Sequence, residues 1–171
     1  MEPTVQTMEE LFYALLQDVY FAEQQQVKIL LKLAKKSTNE RLQEAFINHR
    51  DDTEEQIRRL ERVFDAIGKK PHGRSCDAIL GIIAEGQEIM DDVGDPAVRD
   101  AGLLAVAQAA EHYEIARYVT LRSWAELLGL DDAVGLLSET LAEEQYADEL
   151  LTTIANGGVN ENAADRPQAA E

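Results

Sequence analysis

Glu111 and Glu114 stand three residues apart in the segment AEHYEIARY, and the flanking residues at helical spacing are apolar. Residues at i and i+3 share one face of a helix, so both carboxylates lie on the stripe that ought to be buried. Glu23, Glu144 and Asp148 interrupt similar stripes, and His49 interrupts another. A buried, unpaired ion costs several kcal/mol, against a total stability of roughly 5–15 kcal/mol. These stripes carry no lysine or arginine. The carboxyl groups must therefore take up protons at raised pKa values, or cations must sit among them. Two divalent ions would nearly cancel five carboxylates, and a neutral His49 would add a nitrogen ligand. The predicted metal ligands are Glu23, His49, Glu111, Glu114, Glu144 and Asp148.

Four long helical segments must position them. The first is predicted from about Met8 to Lys36, with Thr7 and Glu10 as a capping box. The second follows Ser37-Thr38-Asn39 and runs to about Ile67, stopping at Gly68. A shorter helix covers about Asp77 to Val93. The fourth segment spans about Ala97 to Leu128, and the fifth about Asp131 to Ala155, ended by Asn156-Gly157-Gly158. Short connections within the pairs make antiparallel neighbours. The long span between the pairs is able to run the length of a bundle. Two helical hairpins joined by a crossover are expected as one domain over 1–158, followed by a polar tail over 159–171.

At heptad spacing each seam is apolar at both ends and polar in its middle. Those seams are Leu16–Leu33, Leu42–Val63, Leu104–Leu128 and Val134–Ala155. Reflecting each hairpin about its turn, at 1.5 Å per residue, brings the polar middles to one level. Thr53 and Gln56 fit as hydrogen-bond donors around the ions. Asp52 flanks the seam one step from Thr53, as an alternative ligand or a solvated acid. Tyr20 and Tyr118 fit as core aromatics near the layer. The competing arrangement is a metal-free polar network of the glutamates with Tyr20, Tyr118 and Gln56, and His49 alone fits a hydrogen-bonded core histidine equally well. His112 points off the seam.

The rest of the composition narrows the function classes. A net charge of −17 excludes the basic face that nucleic-acid binding needs and disfavours an anionic membrane surface. No apolar run is long enough for a membrane span, and no leader pattern precedes the first helix, so a cytoplasmic protein is expected. Cys76 is the single cysteine, which leaves no partner for an intrachain disulfide and reads as an idle thiol.

The stretches LLQDVYFAEQQ, FINHRDDTEEQIRRLE, VRDAGLLAVAQAAEHYEIARYVTL and SETLAEEQYADELL together resemble the YciF-type bacterial stress proteins of the ferritin-like superfamily, over about residues 8–163. The resemblance implies an all-α, ferritin-like four-helix bundle with an additional short helix in the crossover, a homodimer, and a dinuclear metal site, iron before manganese. It leaves the activity open between a metal centre that handles oxygen or peroxide and a non-catalytic structural or interaction role. Glu111 and Glu114 also resemble the paired glutamates on the third main helix of rubrerythrins, with Glu144 at a similar spacing behind them. The chain departs from the ferritin-like oxidases at two places. His49 is followed by Thr53 without a seam glutamate, and Asp148 stands after Glu144 where a histidine is usual.

Overall fold

A computed structural model describes residues 5–166. The chain forms α1 (Met8–Lys36), α2 (Glu40–Ala66), α3 (Asp77–Asp92), α4 (Pro96–Leu127) and α5 (Asp131–Ile154), then α6 (Asn160–Ala164). The ends follow local chemistry. Thr7 and Glu10 form the reciprocal capping box of α1, Asn39 caps α2, and Asp95 caps α4 with Pro96 at its first turn. Gly68 and Gly129 take the left-handed conformation just past α2 and α4, both at φ 67°.

The hairpins α1–α2 and α4–α5 pack side by side, α2 against α5 and α1 against α4. This is the expected all-α, ferritin-like bundle. The crossover helix α3 lies against α4 and α1 and buries Ile79, Gly86 and Met90. Two glycines permit that approach. A Cβ on Gly86 would meet Val106 at 3.1 Å, and one on Gly102 would meet Ile89 at 2.9 Å. The apolar face of α3 is thus largely covered by its own bundle.

The core has two main parts. One end holds Phe12, Leu16, Phe64, Leu121 and Leu137, and the other holds Leu30, Leu42, Phe46, Leu104 and Leu151. Their separation by the polar middles of the four long helices is the chief feature of the packing. Val159, where a polar tail is expected to begin, is buried with the second cluster. It follows a wide turn whose Gly158 has φ 122°, a conformation that side chains resist. The short α6 then packs on α4, and residues 167–171 of the expected tail lie outside the described residues.

A polar clasp ties α4 to the turn of the first hairpin. Asp100 on α4 is 4% exposed, and its carboxylate accepts bonds from the Ser37 hydroxyl, the Thr38 hydroxyl and amide, and the Asn39 amide. Removing the acceptor leaves several donors without a partner, each costing about 1–3 kcal/mol when buried. Asp100→Ala is expected to destabilise the protein by about 3 kcal/mol in urea unfolding; a loss within about 0.5 kcal/mol, typical of ordinary surface changes, would show that the turn holds without it.

Candidate metal centre

The seam spacing of α2, α4 and α5 delivers His49, Glu111, Glu114 and Glu144 to one place. Each offers a ligand atom, and these atoms all lie within 4.8 Å of one another. All four residues are buried, and the three glutamates are at most 1% exposed. His49 Nε2 is 3.0 Å from Glu111 Oε1 and 3.8 Å from Glu144 Oε2. Neither approach has hydrogen-bonding geometry, and His49 Nε2 has no hydrogen-bond partner. Glu111 Oε2, Glu114 Oε1 and both oxygens of Glu144 are buried without partners as well. These ligand atoms converge on a common centre. Buried polar atoms are ordinarily satisfied, so this donor set fits a hard or borderline divalent cation.

The electrostatics agree with the geometry. Among the described residues no lysine or arginine forms an ion pair with these glutamates. Burial pushes the Glu111 carboxyl up to about 8; a hydrogen bond with protonated Glu144 works against the shift, and repulsion from Glu114 and Asp148 adds to it. Burial raises Glu114 to about 7, while the Gln26 amide works against the shift. Glu144 and Glu23 stand well above the carboxylate range, first because they are buried and then because neighbouring carboxylates repel them.

The other expected residues divide. Glu23 is fully buried; one oxygen accepts from the Tyr118 hydroxyl, and the other is unpartnered. It borders the four-residue group rather than belonging to it. Tyr118 is itself fully buried, and burial followed by the Glu23 charge holds its hydroxyl well above the usual range. Asp148 turns one oxygen to His112 at 3.0 Å and keeps the other buried and unpartnered. Thr53 donates to the His49 carbonyl at 2.8 Å, which fixes the helix turn that carries the imidazole. Gln56 donates to Glu143 at 3.1 Å. Asp52 stays at the surface, its carboxyl raised by partial burial and by Glu143. Tyr20 faces away, its hydroxyl bonded to Glu61 at 3.0 Å and its ring edge-on to Phe64.

Two residues outside the expected set belong to the site. Gln26 donates its amide to Glu114 Oε2 at 3.0 Å, orienting that carboxylate from α1. The signal was available, since Gln26 is the next seam position after Glu23. His112 holds Asp148 from outside the seam, and its adjacency to Glu111 does not reveal which neighbouring helix it reaches.

A family profile for a domain of unknown function, DUF892, matches residues 7–164. Protein YciF of Escherichia coli (strain K12) is 42% identical over 163 residues, covering 95% of this chain and 98% of its own. The crystal structure of that stress protein superposes with a TM-score of 0.88 over 92% of this chain and 99% of its own. YcfI of Rhodopseudomonas palustris, to which a structural role is ascribed, is 46% identical with a TM-score of 0.87, over 90% and 98% of the two chains. A Xanthomonas campestris protein at 18% identity and TM-score 0.76, covering 95% and 100%, shares the fold. With the profile spanning the whole bundle and YciF aligned nearly end to end, the chain belongs to the DUF892 family of YciF-like proteins.

Proposed function

We propose that this is a dinuclear metal protein of the bacterial stress response, carrying iron or, second, manganese, that reacts with oxygen or peroxide. The observation that carries the reading is the buried group of His49, Glu111, Glu114 and Glu144, whose unpartnered atoms face one another. These four would hold one ion, and Glu23 with the second oxygen of Glu144 would help to hold another. Bound divalent ions supply positive charge and an open coordination position for a small oxidant. The protein's part is positional. Gln26 fixes Glu114, Thr53 steadies the turn bearing His49, and Tyr118 holds one oxygen of Glu23. The stress role follows the name of YciF.

Protein purified without chelator and supplied with both metals is expected to hold about two ions per chain by elemental analysis, and less than one ion would overturn the dinuclear centre. A second reading, in which the ions only stabilise the bundle, is favoured by the single histidine of the group. Turnover of peroxide by loaded protein separates the two.

The homodimer rests on the family resemblance. Leu31 on α1 and Ile47 on α2 remain 42% and 48% exposed, and supply apolar surface that a partner copy would cover. Light scattering is expected to give twice 19.0 kDa at micromolar concentration, and the monomer mass would reject the dimer.

A further inference from the structure

Access to the four-residue group is one-sided. On the α1 flank Glu23, Gln26 and Tyr118 are at most 2% exposed, and their side chains are engaged with one another and with Glu114. Between α2 and α5 a cavity of about 100 Å³ reaches His49 and Glu111 directly. Its walls are mainly apolar, from Phe46, Ala147, Leu150 and Leu151. Tyr146, 66% exposed, stands at its rim with Asp52.

Size and lining choose the occupant. A cavity of about 150 Å³ lined by aliphatic and aromatic side chains accepts benzene or xenon. This one is smaller, so it admits a molecule of only a few heavy atoms. Apolar walls penalise a bare charge, which favours a neutral ligand over an ion. We propose that the α2–α5 cavity delivers a small uncharged molecule, of the size of dioxygen or hydrogen peroxide, to the His49–Glu111 side of the centre, with Ala147 and Leu150 setting its size limit. The proposal rests on the metal reading for what the ligand meets. The cavity itself is independent of that reading.

Xenon tests the cavity on chelated protein. Methyl NMR under xenon pressure is expected to shift Leu150 and Leu151 in the wild type, and Ala147→Leu should abolish those shifts. The route is tested with ferrous-loaded protein and nitric oxide, a neutral diatomic whose binding is followed by electron paramagnetic resonance. Ala147→Leu should keep the metal content and slow that binding at least tenfold. Leu150→Ala widens the same cavity, and should enlarge the xenon shift at Leu151 and speed nitric oxide binding. It decides the matter if the first variant fails to fold. Wild-type protein that holds metal but shows no xenon shift, or nitric oxide binding unchanged in the folded variants, would overturn the route alone. So would Ala147→Leu slowing metal loading while leaving nitric oxide binding intact. Wild-type protein that holds no metal would remove the centre, and the route to it as well.

Discussion

Replacing Glu111 and Glu114 together by glutamine should lower the thermal stability of metal-loaded protein and raise that of chelated protein. Glutamine keeps the shape and removes two ionisable groups. Both glutamates are at most 1% exposed, and among the described residues no lysine or arginine pairs with them. In the loaded state the ions lose two anionic ligands and bind more than tenfold more weakly, because hard cations prefer carboxylate to amide oxygen. In chelator the same change removes the cost of holding two buried acids protonated, so the fold should gain stability. Two melting curves per protein read the result. An equal shift with and without metal would remove both residues from the centre.

The second large effect is on pH dependence. Glu111 is raised to about 8 and Glu114 to about 7 in the folded chain, whereas an unfolded glutamate titrates near 4.3. Between those values the folded state holds protons that the unfolded state has released. Stability therefore falls as pH rises, by up to about 1.4 kcal/mol per pH unit for each retained proton. Chelated protein should lose stability steadily from pH 5 to pH 8. Metal binding instead strengthens with pH, since it displaces those protons, so the stability gap between loaded and chelated protein should widen over the same interval. Urea unfolding at several pH values measures both curves. A chelated curve that is flat or rising across this window would contradict the buried-acid account.

Most of the bundle was legible because heptad spacing reports burial directly. Every predicted seam residue of α1 and α2 is buried, including Glu23, Gln26, His49, Thr53 and Gln56. Helix α4 was legible only in part. Leu103, Val106 and Ala110 are buried too, since α3 covers a second face of that helix, and a single stripe cannot describe a helix buried on two sides. On α5 the seam residues Val134 and Asp148 are only half-buried, while Leu136 and Thr140 are buried beside the seam. Side-chain choice was harder to read than helix face. Tyr20 and Asp148 each stood beside more than one neighbour, and spacing along a helix does not decide between Glu61 and the polar layer, or between His112 and Glu111. The clasp at Asp100 joins residues more than sixty positions apart in sequence, beyond the reach of any local pattern.

The division of the apolar core into two clusters has a consequence for how the protein comes apart. Each long helix contributes to both clusters, and the carboxylate layer between them adds repulsion in place of dispersion contacts. Cooperative unfolding needs favourable coupling between regions. With this layer of buried acids bridged by nothing, each end of the bundle should open as a separate unit, and backbone amides near Glu114 and Glu144 should exchange through excursions smaller than global unfolding. An ion held across the layer would weld the two units into one, so that occupancy of the centre would set the size of the smallest piece of the protein that can open alone.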